Sequence, residues 1–396
     1  MLQPVAARLA AGLLAAAALA AQPPRPELLG FAALAADTFA DGPASGRFRH
    51  SDTSGPPFPG QPVQGFSAIM PDRDRPGWWL VLCDNGYGTK ANSADFLLRI
   101  YSVRPDWRSA DGAGAGGVDV GRLIQLSDPH RRVPFRILNQ DTTDRLLTGA
   151  DFDPESFVVA ADGTFWIGDE FGPWLLHVDG SGVLLAPPVE APGLRSPDNP
   201  SVARAGTGGT GGATVGRSRG FEGLALDADG RRLVALLEEG PVGDPPQTTR
   251  LLEFSLASGQ FTGRAWTYRT TAPGAKVTEL VCYAPGRFMA LERDDGAGPA
   301  ARVKRVVALQ LPDPGKAIEP DLVADLLDIA DPRNLAGLGP AFTFPFITPE
   351  AVWPEDGRTL VLVNDNNYPG GGGRGPAGSK DASEFIRLRL PRALAR

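Results

Sequence analysis

An all-β chain closed into a β-propeller of antiparallel meander sheets is the fold that this sequence predicts. Three observations lead there: a hairpin unit repeated five times, a heavy load of turn residues, and an acid that recurs at the same two places in the unit. Of 396 residues, 49 are glycine and 38 are proline, which argues against long helices and coiled coils. With 42% apolar residues the chain has enough hydrophobic material for a core and is not a disordered segment.

The repeat organises the chain. Phe66–Ile69 leads through Pro76-Gly77 to Trp79–Asn85. Pro154–Phe157 leads through Asp162-Gly163 to Phe165–Glu170, and Phe221–Leu224 through Asp229-Gly230 to Leu233–Glu238. Thr278–Val281 leads through Pro285-Gly286 to Phe288–Arg293, and Pro349–Val352 through Asp356-Gly357 to Leu360–Asp365. Asp-Gly and Pro-Gly are tight-turn signals, so each unit reads as strand, turn, strand. A third apolar stretch follows in most units, as at Phe96–Tyr101, Leu175–Val178, Arg250–Phe254 and Phe385–Leu388. Units anchored at 67, 155, 222, 279 and 350 lie 88, 67, 57 and 71 residues apart, a period that suits propeller blades with loop insertions. Five blades are legible. Six are favoured, the sixth lying between Val120 and Leu138 or being completed from Leu28–Phe39. One domain over residues 21–396 follows, because a closed ring cannot be cut without exposing a sheet edge. Insertions fall at about 41–62, 196–219 and 366–381. They read as surface loops, since none has the strand–loop–helix setting of a phosphate-binding loop.

The N-terminus carries its own message. Arg8 precedes an apolar run, Leu9–Ala20, too short to span a bilayer and ending in small residues. Cleavage after Ala20 is expected, which makes residues 1–20 a signal peptide and the product a secreted or periplasmic protein without an integral membrane segment. A net charge of −7 argues against nucleic acid as a partner. Three histidines and two cysteines leave little room for zinc or a disulfide framework, so any metal is held mainly by oxygen. Cys83 and Cys282 fall in non-adjacent repeats and should remain unpaired.

The acids fall in register. The first strand opens and the second closes with one: Glu155 and Glu170, Glu222 and Glu238, Glu279 and Glu292, Glu350 and Asp365. The first unit has Ser67, then Asp84. In an antiparallel hairpin these two positions share one end, about 5 Å apart. In a propeller the first strand lines the channel, so the acids gather at one mouth. Crowded carboxylates raise one another's pKa or bind cations. Oxygen ligands favour Ca2+, with Mg2+ second. Asp151, Asp153 and Glu155, spaced i, i+2, i+4, point the same way if the chain is extended. Asn364, Asn366 and Asn367 flank Asp365 with further oxygens. Trp78, Trp79, Trp166, Phe221 and Phe288 sit at strand positions and are expected to pack between blades.

These residues resemble the phytase-like family, the "esterase-like activity of phytase" proteins. The likeness rests on Gly149–Phe157, Gly163–Pro173, Gly220–Leu226, Leu291–Arg293 and Val363–Asn367, with Asp84–Gly88 and Lys90–Ser93 similar to the family's first blade. It runs from about residue 64 to 390. It implies an exported, metal-binding propeller that hydrolyses phosphate or other esters. Ser67 departs from the repeat and leaves one ligand position open. No dense group of Lys and Arg accompanies the acids, as a hexakisphosphate would need.

The leading expectation is therefore a metal-dependent phosphoesterase or esterase-like hydrolase, a monomer acting on a small-molecule ester. Its metal ligands are drawn from Asp84, Asp151, Asp153, Glu155, Glu170, Glu222, Glu238, Glu279, Glu292, Glu350 and Asp365. Glu170 and Glu222 are its central catalytic acids, and Lys90, Arg219 or Arg293 gives a positive contact to the substrate. A serine-triad esterase is disfavoured. No Gly-x-Ser-x-Gly elbow is present, His177 lies in a strand where packing is expected, and His50 and His130 lie in loops without a serine partner. The non-enzymatic alternative is a calcium-stabilised propeller that binds a ligand or surface partner.

Overall fold

Each hairpin of the repeat becomes the first two strands of a sheet. The computed structural model describes residues 25–49, 57–203, 212–313, 315–376 and 378–395. The expected signal peptide and His50 lie outside the described residues. The first sheet is Phe66–Pro71, Trp79–Cys83, Arg99–Pro105 and Val118–Gln125. The second is Pro154–Val159, Phe165–Asp169, Trp174–Val178 and Val189–Glu190. The third is Phe221–Leu226, Arg232–Leu237, Thr248–Ser255 and Gln260–Arg269, with Ala317–Ile318 added at its edge. The fourth is Lys276–Ala284, Arg287–Arg293, Lys304–Gln310 and Asp321–Asp325. Apart from the Ala317–Ile318 addition, these four are up-and-down meanders whose strands follow in chain order. The last sheet runs Pro349–Pro354, Thr359–Asn364, Ser383–Arg389 and then the N-terminal strand Glu27–Leu34. Successive first strands touch, and that of the last sheet returns to that of the first, so the sheets stand as blades around a channel.

The favoured sixth blade is not found among the described residues. Val118–Gln125 pairs antiparallel with Arg99–Pro105 as the outer strand of the first blade. Glu27–Leu34 pairs antiparallel with Ser383–Arg389, Phe31 opposite Ile386, and so completes the last blade. Val118–Gln125 is the outer strand of a blade already present, and Glu27–Leu34 is the fourth strand of another, flanked on its other side by Ala330 and by Arg108–Ser109. The long-range pairing of the chain's first strand with its last removes the edge that an open ring would expose.

Apolar side chains fill the gaps between blades. Phe66 meets Phe385 across the closing seam at 5.9 Å, and Trp166 meets Phe254 of the next blade at 5.0 Å. His177 stacks on Trp166 at 4.2 Å and shares a hydrogen bond with Thr164, so it packs. Burial lowers its pKa. Trp78 departs from the expected packing: it is half-buried at the surface, with the Arg75 guanidinium 3.5 Å above its ring. Both cysteines are free, as expected. The glycine-rich stretch near 370 folds around its own anion, since the amides of Gly372, Gly373, Arg374 and Gly375 all donate to Asp381 at 2.7–3.1 Å.

The connection from the first to the second blade is pinned by a buried ion pair. Arg145 Nη2 donates to Asp128 Oδ2 at 2.8 Å, and that carboxylate also accepts the amides of Arg132 and Val133 at 2.6 and 3.1 Å. Asp128→Ala leaves the guanidinium buried without its partner and is expected to cost about 3–5 kcal/mol. Chemical denaturation checks this; a loss under about 1 kcal/mol shows that the pair is dispensable.

Candidate functional site

One irregularity repeats in every blade. The pairing of first and second strands slips at Ser67, Glu155, Glu222, Glu279 and Glu350. Each is the extra residue of a β-bulge, a device that bends the strand and re-aims a side chain. The second strands end next to the bulges. Asp84, Glu170, Glu238 and Asp365 directly follow the strands that end at Cys83, Asp169, Leu237 and Asn364.

Most of these positions build a narrow mouth of about 130 Å3. Among the described residues, Asp84, Asp153, Glu155, Glu170, Glu222, Glu238, Glu350 and Asp365 line it, with Arg219, Arg293, Asn85, Ser218, Thr348 and Asn367. Glycine permits the close approach of blades here: a Cβ on Gly220 would lie 2.4 Å from the Glu170 Cα. Two groups of three carboxylates converge closely. Asp153, Glu155 and Glu170 each offer an oxygen within 4.8 Å of the others, and so do Glu170, Glu222 and Glu238. Glu170 belongs to both groups. Its buried Oε1 has no hydrogen-bond partner among the described residues.

The surroundings hold the acids in place. Asn85 donates its amide and Nδ2 to Asp153 at 3.1 and 2.7 Å. Ser67 Oγ donates to Glu350 Oε2 at 3.1 Å, so the residue that breaks the repeat positions an acid of the neighbouring blade. Gly86 N donates to Asp84 Oδ1 at 2.7 Å, and Asn367 N to Asp365 Oδ1 at 2.8 Å. Glu238 sits between two guanidinium groups, Arg219 and Arg293, each 2.6 Å away. Arg293 also pairs with Asp295 at 2.9 Å and approaches Glu350 at 3.9 Å.

Charge crowding dominates the electrostatics. Burial first, and then neighbouring carboxylates, push Asp84, Glu155, Glu170 and Glu222 well above the usual carboxylate range. Burial and Asp365 push Glu350 up to about 8, and burial pushes Asp365 up to about 6. Burial opposes the charge on Arg293, yet Glu238, Glu350 and Glu222 outweigh it and raise its pKa. Eight carboxylates against two guanidiniums leave the mouth short of positive charge, and the unpartnered oxygen of Glu170 points to where a cation fits.

Three residues of the expected ligand set lie elsewhere. Asp151 is in a turn, not in an extended strand, and its carboxylate accepts the amides of Leu138 and Thr148 and the Thr148 hydroxyl at 2.7–2.9 Å. The i, i+2, i+4 alignment therefore fails at its first member, while Asp153 and Glu155 do share the mouth. Glu292 turns toward the third blade and accepts the Tyr268 hydroxyl at 2.7 Å and the Thr271 amide at 2.9 Å. The second strand of the fourth blade, its own, runs on to Arg293, keeping Glu292 in the ladder opposite Val277, and Arg293 enters the mouth instead. Glu279, at the same bulge level, stays out of the mouth and lines a different cavity, on the other side of the ring of bulges. Lys90 also stays outside the mouth, with its Nζ 4.5 Å above the Phe171 ring and its pKa lowered by burial. Asn364 and Asn366 spend their side-chain amides on backbone carbonyls, and of the three flanking asparagines only Asn367 reaches the mouth. Asn85, Ser218 and Thr348 were not singled out from the sequence. Asn85 was the most visible of them, directly following Asp84.

A secreted protein of uncharacterised role from Arthroderma benhamiae is 25% identical over 194 residues, which cover 38% of this chain and 36% of that protein. The chain thus spans about a third of that relative's length. The periplasmic gluconolactonase PpgL of Pseudomonas aeruginosa is 13% identical, with 92% of this chain and 100% of that one covered at a TM-score of 0.37. Virginiamycin B lyase of Staphylococcus aureus is 12% identical, with 86% and 68% covered at a TM-score of 0.33. Likenesses at this level carry nothing about activity. The profile of the phytase-like family, described as "esterase-like activity of phytase", matches residues 61–368, and the chain belongs to that family.

Proposed function

We propose that the chain is an exported, metal-dependent phosphoesterase or esterase-like hydrolase whose reaction takes place at the acid-lined mouth. The observation that carries this reading is the pair of carboxylate triads sharing Glu170, whose buried Oε1 lacks a partner. The donor set is all oxygen, which suits Ca2+ first and Mg2+ second. Asp153, Glu155 and Glu170 would hold one ion or Glu170, Glu222 and Glu238 would hold it, and Asp84, Glu350 and Asp365 complete the negative rim. A bound divalent cation supplies Lewis acidity toward the ester oxygen and neutralises developing charge.

The chain's own residues do the rest. Asn85 and Ser67 orient Asp153 and Glu350, so those carboxylates keep fixed directions. Arg293 and Arg219 hold Glu238 in place beside the mouth. A volume of about 130 Å3 admits a single phosphate or carboxyl ester group. A monoester or diester with its leaving group in solvent fits better than a polyphosphorylated ring. The leader-like N-terminus and the secreted relative support export.

Product release by the purified chain tests the reading, on a panel of phosphomonoesters, phosphodiesters, phytate and carboxyl esters, after chelation and again with calcium restored. Calcium-restored turnover of a small ester supports it; absence of turnover with calcium still bound moves the acids to a structural role in a binding propeller. Calcium at one hundred times its dissociation constant is expected to stabilise the fold by about 2.7 kcal/mol, or a rise of about 3 °C in Tm. Calorimetry with and without chelator measures it, and an unchanged Tm removes the metal from the proposal.

A further inference from the structure

The channel has a second mouth. The first strands run away from the acids, and the far halves of all five line a cavity of about 550 Å3. Ile69, Phe157, Leu224, Leu280 and Trp353 give it apolar walls. One buried carboxylate, Glu279, is part of the lining. The Leu280 amide donates to it at 3.0 Å. Asp227 and Asp229 stand at the rim with Arg73.

The backbone at Glu279 sets this blade apart. Its φ is +50°, while none of the other four bulge residues has a positive φ. A bulge residue in the left-handed region is ordinarily glycine, which enters it at no steric cost. Here the chain keeps a long acidic side chain in strained backbone and in a buried place, and both choices work against stability. Strain retained at a cavity wall is characteristic of a binding site. The size, the apolar walls and the one buried carboxylate also match small-molecule pockets in general.

We propose that this second mouth binds an apolar or aromatic amine, its cation against Glu279 and its body against Ile69, Phe157, Leu224 and Trp353. The site is separate from the acid mouth and does not depend on the hydrolase reading.

Titration calorimetry of the calcium-saturated chain tests it, with phenethylamine as the probe and 2-phenylethanol as its uncharged comparator. Saturable binding with at least a tenfold preference for the amine is expected. Glu279→Gln should remove that preference, and Glu222→Gln, at the other mouth, should keep it. Absence of saturable binding, an unchanged preference in Glu279→Gln, or loss of amine binding in Glu222→Gln overturns the proposal. Glu279→Gly separates binding from folding. It should relieve the strain and raise Tm by about 2 °C while losing the amine. A lower Tm makes the carboxylate part of the scaffold, and the proposal fails.

Discussion

Glu170→Gln is expected to abolish turnover and weaken calcium binding by about 100-fold, while the metal-free protein becomes more stable. The first half follows from position: Glu170 is the residue common to both carboxylate triads, so its loss takes an oxygen anion from each. The second half follows from sign. Burial and the charges of Glu222, Asp153 and Glu238 hold the Glu170 pKa above its unfolded value. A native state with such a group binds more protons than the unfolded chain between the two pKa values. Its stability then falls as pH rises through that window. The metal-free protein should therefore lose stability from about pH 4.5 up to about pH 8, the value reached by Glu350. Calcium should flatten that slope, because it stabilises the ionised carboxylates. Glutamine carries no such penalty and is similar in shape. Calorimetry of both proteins with chelator, and calcium titration of both, decide the matter. A metal-free variant that melts lower than the parent would show that Glu170 is a structural acid.

Arg293→Met should be the most destabilising change at the mouth. The guanidinium is buried and bridges three blades through Glu238 at 2.6 Å, Asp295 at 2.9 Å and Glu350 at 3.9 Å. Methionine fills much of the space but leaves those acids without their shared counter-charge. The expected cost is about 3–5 kcal/mol, or about 5 °C in Tm. Two further measurements identify the cause. Adding Glu238→Gln to Arg293→Met should restore most of the loss, because the partner no longer carries a charge. Saturating calcium should restore part of it, because a cation replaces a cation. If neither restores stability, the arginine acts through packing of its stem rather than through charge.

Some of the site was open to sequence reading and some was not, and particular residues show the boundary. The bulge acids Glu155, Glu222 and Glu350 were legible because the repeat copies them into equivalent places, and antiparallel pairing obliges the start of one strand to meet the end of the next. Ser67 broke the pattern visibly, although its bond to Glu350 joins residues 283 apart and could not be read. Asp151 looked equivalent to Asp153 by spacing alone. The amides of Thr148 and Leu138 claim it instead, and turn geometry of that kind leaves no periodic signal. Glu292 and Arg293 are adjacent letters, and the length of one ladder decides which of them faces the mouth. Successive residues of a strand point to opposite faces, so only one of the two can reach the mouth.

The sequence by itself determined the all-β class, the hairpin unit and its five copies, and the gathering of acids at one end of the ring, because these rest on local periodicity and turn chemistry. Only the tertiary structure decided how the ring closes and which acids share a volume. The strand that completes the last blade, Glu27–Leu34, comes from the other end of the chain. The counter-charges Arg219 and Arg293 reach the shared Glu238 from different blades. Such choices follow from free energies of burial and charge pairing between distant segments, and those exist only once the blades have packed.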